Sequence, residues 1–215
     1  MLKKYKWKLI ISVLLILLPV AVGLILWNRL PQQLPTHFNI HGEADGWSSR
    51  AFAVFGIPGF LLAVHLLCLL VTFRDQGGKQ QNKKIYDVLF FIVPAISLLL
   101  GGTVYPAALG VQGISLRFIL LLLSLMMLIL GNIMPKATPN RVFGVRIKWT
   151  LESDANWTAT HRFCGRLWVC VGAVMAVLAM LPFGWTPYAV LALIFPAVAA
   201  PMVYSYIYSK KNTPS

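Results

Sequence analysis

The chain has 215 residues, 58% of them hydrophobic and 12% charged, with 19 Lys and Arg against 6 Asp and Glu. A soluble domain of this length has no core able to bury six helices that are apolar all round, which points to an integral membrane protein. A net charge of +13 would suit nucleic acid, but the placement of the cations argues for a topology signal and against direct nucleic-acid binding.

Six apolar stretches follow one another: Trp7–Trp27, Phe52–Phe73, Ile85–Pro106, Leu116–Gly131, Phe163–Leu181 and Trp185–Tyr208. Each is about long enough to cross a hydrocarbon core of roughly 30 Å at about 1.5 Å per residue. The first follows Lys3, Lys4, Lys6 and Lys8, as a signal peptide would. Its apolar run exceeds the usual ~7–15 residues, and Ala21-Val22-Gly23 is a poor cleavage match, so it reads as an uncleaved helix. His65, in the second stretch, reads as a neutral histidine hydrogen-bonded across a packing seam. Asp87 stands near enough to the interface to reach water or a basic neighbour. Pro94 and Pro196, in the third and sixth stretches, are helix-break candidates. Cys68, Cys164 and Cys170 form no CxxC and read as packing residues.

With a cytoplasmic N-terminus, one side of the membrane carries Lys3, Lys4, Lys6, Lys8, Arg74, Lys79, Lys83, Lys84, Lys136, Arg141, Arg146, Lys148, Arg162, Arg166, Lys210 and Lys211. The other side carries Arg29, Arg50 and Arg117. This split predicts six spans in the cell membrane, both termini inside, and the lipid bilayer as the first partner. Five or seven spans would spoil it. Among the connections, Arg74–Lys84 reads as a basic turn around Gly77-Gly78.

Two connections are long: Asn28–Ala51 outside and Asn132–Arg162 inside. They resemble each other. Asn28-x-Leu30-Pro31-x-x-x-Pro35 and Gly42-x-x-x-x-Trp47-Ser48 match Asn132-x-Met134-Pro135-x-x-x-Pro139 and Gly144-x-x-x-x-Trp149-Thr150. The third and sixth stretches also align from Tyr86 and Tyr188, which stand 102 residues apart, as do Gly42 and Gly144. The expected fold is therefore an all-α membrane bundle of six helices, arranged as two inverted three-helix halves, residues 1–106 and 107–215.

In the outer connection, His37, His41, Glu43 and Asp45 would suit a divalent metal, but Gly42 and Gly46 favour a structured turn. No metal or cofactor is expected. In the inner connection, Asn132, Asn140, Gly144, Arg146 and Trp149 are the candidates for shaping the segment or binding a partner. Thr150 is expected to cap a helix opening with Glu152 and Asp154. On that helix Trp157, His161, Gly165 and Trp168 share a face, with Arg162 and Arg166 to its side. An interfacial amphipathic helix and a partner-binding surface both fit this pattern. No serine–histidine–carboxylate set, phosphate loop or paired-carboxylate site is recognisable, and the chain does not read as an enzyme.

The inner pattern is Gly131-Asn132-x-Met134-x-Lys136-x-x-x-Asn140-x-x-x-Gly144-Val145-Arg146-x-x-Trp149-Thr150-Leu151, then Trp157-x-x-Thr160-His161-Arg162-x-x-Gly165 and Gly172. It resembles the signature of the SdpI family, bacterial membrane proteins named after an immunity and signalling protein for a sporulation-delay toxin. The outer Leu34-Pro35-x-His37-Phe38-x-x-x-Gly42-x-x-Asp45-Gly46 resembles the domain of unknown function that often precedes that core. One departure is Lys148, where the family commonly has proline, and it bears on the local turn. The resemblance implies immunity or membrane signalling. A peptide toxin or envelope signal would be sensed outside and relayed through the inner connection to a cytoplasmic transcriptional repressor. A small transporter or channel, with its site at the repeat interface beside Pro94 and Pro196, is the alternative.

Overall fold

The computed structural model describes residues 2–74, 83–111, 116–140, 143–181 and 183–212; the turn expected at Gly77-Gly78, and Arg141, lie outside them. The helices are α1 (Leu2–Ile25), α2 (Ile57–Arg74), α3 (Lys83–Ala108), α4 (Leu116–Ile133), the short α5 (Lys148–Leu151), α6 (Asp154–Met180) and α7 (Thr186–Asn212). Six are long and apolar enough to cross a membrane: Tyr5–Ile25, Phe52–Arg74, Ile85–Ala108, Ile119–Lys136, Asp154–Met180 and Thr186–Asn212. The protein is an all-α, multi-pass membrane protein. Helices are the form that closes every backbone hydrogen bond within one segment, which a chain surrounded by lipid requires.

The sequence-based bounds need three corrections. α6 begins at Asp154, so residues 154–162 belong to a spanning helix and leave a shorter inner connection. Ser153, not Thr150, caps that helix, its side chain accepting from Asn156 N at 3.2 Å. Pro94 and Pro196 break nothing: α3 and α7 run through both. Pro94 is buried and Pro196 exposed, so the two stand in different surroundings.

Two compact units make up the chain. The first comprises Met1–Arg74 and Tyr86–Ser115. Between its α1 and α2 lie strands β1 (Gln33–Phe38) and β2 (Ala44–Ser49), paired antiparallel, and a π-helical turn at Phe52–Gly56. Leu30, Leu34, Ala53, Val54, Val104 and Tyr105 form a core under the hairpin. The buried residues of α1 fall at Tyr5, Ser12, Ile16, Pro19 and Gly23, one narrow stripe. Polar contacts mark that stripe at helical intervals. Lys8 pairs with Asp87, Ser12 bonds His65 at 2.9 Å, Ser97 Oγ donates to Ile16 O at 2.9 Å, and Tyr105 OH to Pro19 O at 2.9 Å.

The second unit comprises Asp75–Ile85 and Leu116–Ser215. Here α4 and α6 approach through glycines. A Cβ on Gly165 would stand 2.6 Å from Pro135 Cγ, and one on Gly172 would stand 3.0 Å from Leu128 N. Leu120, Val171, Met175, Ala179, Val190 and Ala197 form its core. Trp168 Nε1 donates to Ala197 O at 2.8 Å. That carbonyl has no intrahelical partner, because the residue four positions on is Pro201.

Candidate functional site

The inner connection of the second unit is folded onto α6. α4 ends in a 3-10 turn, Met134–Lys136, with Pro135 in its first positions. Asn140 then closes a loop: its Nδ2 donates to Thr138 O at 2.8 Å and Phe143 O at 2.9 Å, while its Oδ1 accepts from Phe143 N at 2.6 Å. Gly144 follows at φ 115°, a conformation that side chains rarely adopt, and any Cβ there would collide with the His161 ring.

His161 fastens this turn to the helix. Val145 N donates to its Nε2 at 3.0 Å, and its Nδ1 lies 2.8 Å from Trp157 O. Nε2 is therefore the acceptor, so the proton of the neutral ring sits on Nδ1 and points at Trp157 O. Both nitrogens are used, and the ring is fully buried. Trp157 stacks on it with ring centroids 4.0 Å apart and donates Nε1–H to Ala137 O at 2.8 Å. Thus one buried tryptophan holds the start of the connection and one histidine its middle.

Thr150 completes the enclosure. Its hydroxyl accepts from Ile147 N at 3.1 Å and reaches Val145 O at 2.7 Å, closing the entry to α5. Lys148 is the first residue of α5. Proline is well tolerated at a helix's first position, because its missing N–H would be unpaired there anyway. The departure at Lys148 therefore leaves the turn intact. Trp149 packs on Tyr206 of α7 at 4.9 Å. With Lys148, Glu152, Ser153, Asn156, Tyr208, Ser209, Lys210 and Asn212 it lines an open cleft.

Some candidates stand apart. Arg146 and Arg162 are exposed, with no side-chain hydrogen bond or ion pair among the described residues. Asn132 is exposed too; its carbonyl and Oδ1 both accept from Lys136 Nζ, at 2.8 and 3.3 Å. Sequence reasoning missed a buried polar set beneath the connection. Asn156 Oδ1 accepts from Thr160 Oγ1 at 2.8 Å and Ser205 Oγ at 2.9 Å, while Asn156 Nδ2 donates to Ser205 O at 3.0 Å. The available signal was Asn156 and Thr160 one turn apart on a membrane-facing helix.

The outer candidates build the hairpin. Asn39 Oδ1 accepts from His41 N at 2.9 Å and Glu43 N at 3.0 Å, and Gly42 takes φ 82° at the tip. His37 Nδ1 meets Asp45 Oδ1 at 2.5 Å across the strands. Gly46 faces His37, whose Cβ would stand 2.9 Å from a Cβ at 46. His41 is exposed, and no cluster of three or more metal-ligating side chains occurs among the described residues. The two strands were not foreseen, the tip being read as a turn alone. Arg50, counted earlier only as a charge, anchors the hairpin. Its Nη1 donates to Trp27 O at 2.7 Å and Leu30 O at 3.0 Å, and its guanidinium lies 4.4 Å from the Trp27 ring centroid.

Asn140, Gly144, Thr150, Trp157 and His161 of the inner pattern thus fix one loop on one helix. Residues 136–205 match the SdpI/YfhL protein family. This stretch of the chain is thus similar to the SdpI family. Residues 14–62 match a domain of unknown function, DUF1648, which takes in the hairpin. Over 212 residues the chain is 28% identical to "Immunity protein SdpI" of Bacillus subtilis (strain 168), covering 95% of this chain and 97% of that protein. No solved structure matches. The resemblance therefore spans both units, and the matched 136–205 range takes in the connection held by Trp157 and His161.

Proposed function

We propose that this protein confers immunity at the cell membrane, sensing a peptide toxin or envelope signal and relaying it through the 132–162 segment. The observation that carries the reading is end-to-end similarity to an immunity protein, together with a loop that is hydrogen-bonded to a spanning helix. Both termini and this loop are cytoplasmic in the proposal, and the hairpin is outside, following the charge split.

A free basic tether would need no buried tryptophan and no saturated histidine. This loop has both, so a movement of α6 moves the Gly144–Trp149 turn with it. Arg146, Lys148 and Arg162 stand exposed on this region, where a cytoplasmic repressor of acidic surface would meet them.

The test uses native cells lacking the gene, challenged with culture supernatant of the parent strain. The intact chain restores growth. Arg146→Lys and Trp149→Ala reduce protection at equal membrane abundance, whereas Lys148→Ala reduces it less. Deletion cells that grow as well as the parent under challenge would overturn immunity. Wild-type protection by both loop variants would overturn the relay.

A further inference from the structure

The buried histidines of the two units differ in a way that assigns one of them a ligand. His161 has a partner on each ring nitrogen. His65, in the middle of α2, is equally buried but has one. Ser12 Oγ donates to Leu9 O at 2.9 Å, so what it offers His65 at 2.9 Å is a lone pair. The His65 proton therefore sits on Nε2, and Nδ1 carries a bare lone pair with no protein partner among the described residues.

We propose that His65 is a proton-binding site within the membrane-spanning part of the first unit, and that occupying it loosens α1 from α2. A hydronium ion would give its proton to Nδ1 and leave as water; the ring becomes an imidazolium carrying one positive charge. The Ser12 bond survives this step, but the new Nδ1–H has no acceptor in place. The titratable neighbours offer none. On α1, Lys8 pairs with Asp87 of α3, one turn beyond Ser12. Tyr5 of α1 and Tyr86 of α3 pack with Phe73 and Phe90 in an aromatic cluster, and Phe90 meets the His65 ring edge-on at 6.4 Å. Cys68 lies one turn along α2. A charged ring in this seam must reach a carbonyl or water by parting the helices, since an unpaired ion is strongly disfavoured there.

A structural histidine would be replaceable by glutamine, which keeps the donor facing Ser12 and has nothing to titrate. The full chain in lipid nanodiscs, labelled with 15N-histidine, is followed from about pH 8 to about pH 4. The two buried rings are separable because their neutral tautomers differ. The Nε2–H signal of His65 is expected to shift reversibly to the imidazolium position while the Nδ1–H signal of His161 persists. The melting temperature of the wild type should fall further on acidification than that of His65→Gln. A His65 ring that stays neutral throughout, or parallel loss of stability in both proteins, overturns the proposal. If His65→Gln does not fold, the wild-type ring signals decide alone.

Discussion

The hairpin of the first unit and the inner loop of the second both carry glycine at positive φ, a polar turn and a tryptophan, yet they are held in opposite ways. The hairpin closes on itself. Asn39 satisfies its own tip, His37 meets Asp45, Thr36 meets Ser48 at 2.8 Å, and Trp47 stays 56% exposed. The inner loop closes on a spanning helix: Trp157 and His161 reach out of α6 to hold Ala137 and Val145. A self-closed turn can be altered without the helices noticing. A loop whose hydrogen bonds end on a helix shares that helix's fate.

The largest contrast is expected from the tryptophans. Trp157→Ala empties a fully buried site and strands Ala137 O, and should cost about 3–5 kcal/mol. Trp47→Ala should stay within about 0.5 kcal/mol, as exposed sites do. Thermal unfolding of the two variants in one detergent measures both, and equal losses would break the comparison.

The glycines come next. Gly144→Ala and Gly42→Ala each force alanine into positive φ, at about 1–3 kcal/mol of strain. Only Gly144→Ala also strikes the His161 ring. Removing the ring with His161→Ala should therefore lessen the penalty of Gly144→Ala, and a double-mutant cycle reads this as non-additivity. Strict additivity would mean that the collision is relieved elsewhere.

His161→Ala alone should cost about 1–3 kcal/mol, by leaving the half-buried Val145 N without its acceptor. Asp45→Asn is expected to cost at most about 1 kcal/mol, because its bond to His37 is exposed to solvent. Cysteine labelling of position 45 on intact cells, in a background lacking Cys68, Cys164 and Cys170, tests which side the hairpin occupies. Labelling only after lysis would reverse the topology.

The spans were legible because apolar length is a property of composition, and lipid permits few alternatives to a helix. The first turns of α6 were legible as helix but not as part of a span. Asn156, Thr160 and His161 make the stretch read as polar, and only Ser205 and the loop amides, brought together by folding, show these groups to be satisfied. The strands escaped for a similar reason. Gln33–Phe38 includes Pro35 and lacks a clean alternation, so the pairing rests on cross-strand contacts such as Thr36 with Ser48. Gly42, Gly144 and Asn140 were legible as turn makers, since their φ freedom or side-chain acceptors are intrinsic. Arg50 was not, because a charge count says nothing about the two carbonyls it reaches.

The bond from Trp168 to Ala197 O bears on how the chain enters the membrane. α7 emerges from the ribosome after α6, carrying a carbonyl that its own backbone cannot serve because Pro201 follows. Alone in lipid, that oxygen would stay bare. The donor is already waiting on α6, synthesised just before, so α7 is completed by its predecessor at the moment of docking. Biogenesis of α7 is therefore tied to an indole near the middle of α6.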